Sequence, residues 1–371
     1  MAFITARRAS GPALNPSKDR PASIWRWPAL GVALLAATVI AGCVDTNSKV
    51  PPTGIQAVVV SSDLAVGQNR FVLGLLTQDN QVITDAHVHF DFFRQGDDST
   101  PINGIEAVFK SAKVESTHVH ESDEQHLHEE VTGVYVANVT FDQPETLYVR
   151  VTGTLAEGEP LTVYTANFTV QPQSQTPAVG SLVPRSNNPT TADVSDISLI
   201  DSSDPPRPEM HVMSIAQALD AVKPVVIAFA TPAFCQSRIC GPTMEVMDEL
   251  YSRYGDAAAF VHVEPYDLAM LRQQGQFQLA PAAAEWHLPT EPWVFVVDRQ
   301  GRLAAKFEGV VTVEDVEMVL AGLVGRAAQQ SAHSRSSFDK LRISGALMVG
   351  PSNHERLDLT AAPFDAPTPP I

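Results

Sequence analysis

Cys235 and Cys240 stand five residues apart in "FATPAFCQSRICGPTMEV", directly before Gly241-Pro242. The chain holds three cysteines in all, so a close pair reads as a disulfide, either structural or redox-active. The fully apolar run "PVVIAFA" precedes the pair. "TMEVMDELYSRYG" follows it, with Met244, Met247, Leu250, Tyr251 and Tyr254 at helical spacing. The thiols therefore belong to a strand-to-helix connection, where unpaired N–H groups and the helix dipole stabilise thiolate and lower its pKa. A five-residue step along a regular helix would part the α-carbons beyond the roughly 7 Å limit for a disulfide. A loop leading into the first turn removes that obstacle, and Gly241-Pro242 supports one, since proline belongs in a first helical turn.

A second group with chemical potential is "STHVHESDEQHLHEE", which carries His118, His120, His126 and His128 among acidic residues. Imidazole with carboxylate suits zinc or copper(II), and two His-x-His pairs could close on one ion. The competing reading is a solvated acidic loop whose histidines keep it soluble. The third cysteine, Cys43, ends the apolar run "PALGVALLAATVIAG".

These groups need elements and a compartment to position them. The formal net charge of −17 excludes a general nucleic-acid binder, because the phosphate backbone would be repelled. Arg7, Arg8, Lys18, Arg20 and Arg26 precede the apolar run, which is short for a membrane span, as in an export signal. Ile40-Ala41-Gly42-Cys43 resembles the bacterial lipoprotein box. That resemblance implies a signal peptide over 1–42, a lipidated Cys43, a tether over 43–53, and an extracytoplasmic protein anchored to the cell membrane. The alternative is an uncleaved signal anchor with a buried Cys43.

Residues 54–172 read as about seven short strands rich in Val, Thr, Tyr and Phe, which predicts an all-β immunoglobulin-like sandwich. In "DAHVHFDFF" the alternation is strict, placing Ala86, Val88, Phe90 and Phe92 on the core side and Asp85, His87, His89 and Asp91 on the other. Residues 173–193, rich in Pro, Ser, Gln and Asn, read as a linker. Helix and strand patterns alternate over 194–325, and 326–371 reads as a disordered tail.

The order of elements from about Val179 to Val324 resembles the thioredoxin-like superfamily. The resemblance is carried by "VVIAFATPAFC", the helix behind it, and "WHLPTEPWVFVVDRQGRLAAKFEG". It implies an α/β thioredoxin-like domain after the sandwich, with Pro292 as the cis-proline beside the cysteines. It also implies a thiol–disulfide oxidoreductase that needs no cofactor and acts on a thiol or disulfide protein partner. The sequence departs from the family in having four residues between its cysteines and Phe234 before the first. Cys235 is the expected attacking thiol and Cys240 the resolving one; the reverse assignment follows from aligning Cys240-Gly241-Pro242 instead. An inert stapling disulfide is the third reading.

"TPAFCQSRIC" also resembles the Cys-x4-Cys segment of peroxiredoxins, which implies a thiol peroxidase. Glu291-Pro292 stands where those enzymes place an arginine, which counts against it. Sco-type copper proteins place a histidine near the position of Thr290, so His287 or His262 would have to substitute. His262 itself reads more simply as a strand-end histidine with an ordinary hydrogen bond. The non-enzymatic alternative overall is an extracytoplasmic copper- or zinc-binding or delivery protein.

Overall fold

Alternation of apolar and polar side chains builds most of this molecule. The computed structural model describes residues 54–119 and 125–325, and all of them fall in one compact unit. The expected signal, Cys43, the tether, His120 and the tail lie outside the described residues. No helix among those described is long and apolar enough to cross a membrane.

The N-terminal part is one antiparallel sheet. Its strands are β1 (Gln56–Val59), β2 (Gly67–Leu76), β3 (His87–Arg94), β4 (Asn103–Val119), β5 (Gln125–Phe141), β6 (Glu145–Thr154), β7 (Pro160–Tyr164) and β8 (Phe168–Val170). They run in the order β1-β2-β5-β4-β3-β6-β7, with β8 also paired to β6. Phe71 on β2, Phe90 and Phe92 on β3, Tyr135 and Phe141 on β5, and Val149 on β6 all enter one apolar cluster. A sheet whose strands all face a single core has curled on itself, and its end strands β1 and β7 approach each other.

The second sheet follows the order β10-β9-β11-β12, from β9 (Val225–Phe229), β10 (Ala259–Val263), β11 (Trp293–Val297) and β12 (Leu303–Glu308). β9 and β10 are parallel; β11 is antiparallel to both β9 and β12. All five residues of β9, of β10 and of β11 are buried, as continuous apolar runs require when both faces are covered. Among the described residues five α-helices accompany it: α1 (Ile215–Asp220), α2 (Cys240–Tyr254), α3 (Leu268–Gln274), α4 (Pro281–Glu285) and α5 (Val313–Val324). Trp286, just after α4, is fully buried against Phe229 and Phe295.

This architecture corrects the fold class expected from sequence, an immunoglobulin-like sandwich followed by a separate α/β thioredoxin-like domain. The first region is one nearly barrel-shaped sheet in place of two stacked ones. The described residues are mostly β, and three of the five helices have seven residues or fewer. The physical reason is that alternation assigns each strand its inner face but not its neighbours. β4 and β5 pair without a break from Val108↔Val136 to Val119↔Gln125, and that long ribbon carries the sheet round. Nor are the two sheets independent bodies. Arg70 on β2 donates to the carbonyls of Glu308 and Val310, at 3.1 and 2.7 Å. Lys306 Nζ reaches Asp63 at 2.9 Å, and Lys110 reaches Asp315 at 2.7 Å. Val72, Val134, Val136 and Val310 close an apolar cluster between them. Residues 173–193 have no regular structure, yet Thr176, Ser186, Asn188 and Thr190 within them are buried.

Candidate functional sites

The strand β9 ends at Phe229, and the chain turns through a 3-10 segment, Pro232–Phe234, before α2 begins at Cys240. That detour folds the five-residue spacing back on itself. Cys235 and Cys240 form a disulfide with α-carbons 5.9 Å apart, within the range such bonds demand. The two sulfurs are not equivalent. Cys240 is fully buried in an apolar cluster with Met244, Val294 and Phe307. Cys235 is half-buried, and Gln236, Ser237 and Arg238 beside it are exposed. The Cys235 sulfur accepts the backbone N–H of Cys240 at 3.1 Å, and Ser237 Oγ lies 3.2 Å away. A donor from the first residue of a helix thus points at the more accessible sulfur, the arrangement that favours a thiolate there.

Pro292 follows a cis bond from Glu291 and leads into β11. Its carbonyl accepts the N–H of Gly309 at 3.0 Å. Gly309 has φ of +72°, and a side chain there would reach Ile239, the residue before Cys240. Thr290 bonds to Glu308 and receives the indole N–H of Trp293, at 2.8 and 3.1 Å. His287 is exposed, at a positive φ. Glu291 accepts the Tyr266 hydroxyl at 2.5 Å.

His118 and His126 are cross-strand partners on β4 and β5, and His128 lies opposite Ser116. The hairpin thus brings His118 and His126 together along the backbone.

The residues that the sequence reading undervalued lie inside the second sheet's layer. Asp201, His211 and His262 bring their donor atoms within 4.8 Å of one another, all three buried, as a group that could hold a metal ion. His262 is on β10, His211 follows the 3-10 turn Pro208–Met210, and Asp201 sits in the irregular approach to it. The Asp201 carboxylate accepts the backbone N–H groups of Ser203 at 2.8 Å and Arg207 at 2.7 Å. Burial alone would raise its pKa. The His211 hydrogen bond and these backbone donors outweigh burial and hold it far below the carboxylate range. Burial, then His211, pushes His262 down to about 4, so its ring is neutral at pH 7. Its Nε2–H donates to the Ala230 carbonyl at 3.0 Å, leaving Nδ1 as the bare nitrogen. Close by in sequence, burial pushes the Glu264 carboxyl up to about 7, against the hydrogen bonds from Ser202 and Thr231.

Positions ten and fifty-one residues apart make no motif, and only the fold joins them. The one available signal was a histidine inside the apolar run "AAFVHVEP", where an imidazole needs a buried partner. No protein-family model matches this sequence, and no curated protein matches it.

Proposed function

We propose that this chain is an extracytoplasmic thiol–disulfide oxidoreductase, held at the membrane by lipid on Cys43, which exchanges disulfides with thiol-bearing partner proteins through Cys235 and Cys240. The observation that carries this reading is the asymmetry of the pair: an accessible sulfur beside a helix N–H, bonded to a buried one. A partner's thiolate attacks Cys235, the Cys235–Cys240 bond breaks, and Cys240 departs as the thiolate. A second thiol of the partner then attacks the partner's own sulfur in that mixed disulfide, Cys235 departs as the thiolate, and the partner leaves oxidised with both cysteines reduced. The reverse sequence begins with the Cys235 thiolate on a partner disulfide, and Cys240 resolves the mixed disulfide.

The exchange draws on no cofactor. Zinc or copper(II), the ions that imidazole and carboxylate suit, enters this reading only at the separate histidine-bearing groups. Glu291, an acid bonded to Tyr266 where a peroxidase would place an arginine, favours disulfide exchange over peroxide reduction.

A redox titration against glutathione tests the proposal. Exchange-active pairs lie at roughly −120 to −270 mV, whereas structural bridges lie below about −300 mV. Alkylation rate against pH should reveal one thiol in the range of about 3.5–7.5, owned by Cys235. A potential in the structural range with no acidic thiol would replace the proposal with a stapling bridge.

A further inference from the structure

We infer that Asp201, His211 and His262 form an internal site for a single divalent transition-metal ion of the zinc or copper(II) class. The site is separate from the disulfide and from the histidine hairpin.

The geometry is the first argument. His211 Nε2 and His262 Nδ1 lie 3.1 Å apart; Asp201 oxygens lie 3.3 Å from the first and 3.6 Å from the second. Ligands at 2.0–2.1 Å from a tetrahedral zinc are separated from one another by about 3.3–3.4 Å. The separations here, measured to the two oxygens of one carboxylate, are of that order. One donor atom from each of the three residues lies within 4.8 Å of the other two, close enough to share one ion. The same two nitrogens face each other and face the carboxylate, so one ion serves all three contacts.

Charge and orientation are the second argument. Asp201 is an anion in a place that water does not reach, its side chain 0% exposed. Buried charges are paired or coordinate metals. His262 commits Nε2–H to the Ala230 carbonyl, the outer hydrogen bond that fixes a ligating imidazole's tautomer and aims its lone pair at the ion. Its Nδ1 lies 3.1 Å from His211 Nε2, so a bound ion would take the place of the proton shared between the two rings.

Ser203 Oγ, Thr231 Oγ1 and Glu264 Oε2 are buried polar atoms close by in sequence, Ser203 within reach of the Asp201 carboxylate and Thr231 of the Glu264 carboxyl, so the surroundings of the group are polar. A surface cleft of about 320 Å³, lined by Pro205, Pro206, Arg207, Glu209, Asp248 and Tyr251, opens beside Arg207, whose N–H binds Asp201.

The test loads the full chain with zinc, removes loose metal by dialysis, and measures retained zinc by elemental analysis. A single equivalent is expected, kept by a variant lacking residues 118–128 and by Cys235→Ser/Cys240→Ser. Asp201→Asn and His211→Gln should lose it, with folding checked by circular dichroism. Cobalt(II) loading of the unmodified chain provides a measurement that needs no variant. It should give the strong visible bands of a four-coordinate ion without sulfur charge-transfer absorption. Retention by Asp201→Asn and His211→Gln, loss with the 118–128 deletion, or absence of four-coordinate cobalt bands would each overturn the inference. Retention by the cysteine variant keeps this result separate from the fate of the disulfide proposal.

Discussion

The disulfide and the Asp201 group belong to the same half of the molecule, yet they are built in opposite ways. Cys235 stands half-open at a loop whose neighbours are exposed, backed by a buried partner sulfur. Asp201, His211 and His262 are closed in on every side, with hydrogen bonds to backbone groups on several segments. A group that must meet another protein's sulfur needs an approach. A group that holds charge without water needs its partners fixed in advance. The contrast teaches that chemistry-bearing residues divide by access as much as by type.

The largest effect should come at the open site. Cys235→Ser should bring disulfide exchange down to the uncatalysed rate, while Cys240→Ser retains attack and accumulates a mixed disulfide visible by mass spectrometry. If both variants accumulate it equally, the sulfurs are interchangeable and the asymmetry means nothing. The accompanying loss of stability should stay near 2 kcal/mol, because the loop that the bond closes is short.

At the closed site the order reverses, with stability suffering first. Asp201→Ala removes the acceptor for two backbone N–H groups and for the His211 imidazole. It should cost about 3–5 kcal/mol in chemical denaturation. A cost under about 1 kcal/mol would show that the group is not the fixed network drawn here.

A third centre, Asp63, joins the sheets and sharpens the comparison through pH. Burial would raise its carboxyl, but Ser174, Thr176 and Lys306 outweigh burial and lower it to about 2. A depressed acid contributes stability above its unfolded pKa, near 3.8, and loses it as pH falls through about 2. That contribution is roughly 2 kcal/mol. Urea midpoints measured from pH 5 to pH 2 should fall less steeply in Asp63→Asn than in the unmodified chain. Identical slopes would remove Asp63 from the account.

The smallest effect is expected away from all three. Thr312 caps α5 by accepting the Asp315 N–H, and Asp315 returns the bond. Thr312→Ala should cost about 1 kcal/mol, with neither exchange activity nor zinc retention changed.

Much of this was legible in the residues. The core side of β3 followed from alternation, and Ala86, Val88, Phe90 and Phe92 are buried as expected. The buried strands β9 and β11, the caps at Ser214 and Thr312, and the pairing of Cys235 with Cys240 were likewise readable. Each depends on neighbours a few residues away, and local physics suffices for it. The sheet's closure was not legible, because alternation is blind to which strand lies alongside. Nor was the Asp201 group.

Residue order alone determined that two thiols would meet at the start of a helix, because strand, loop and helix are consecutive there. Tertiary structure decided which of those thiols faces solvent, since Cys240 is covered by Val294 and Phe307 from distant strands. It also decided that an aspartate, a histidine and a second histidine fifty-one residues beyond the first would converge on one point. The reason is range. Hydrogen bonds within a turn are written in adjacent residues, whereas burial and ligand geometry depend on which segments the fold packs together.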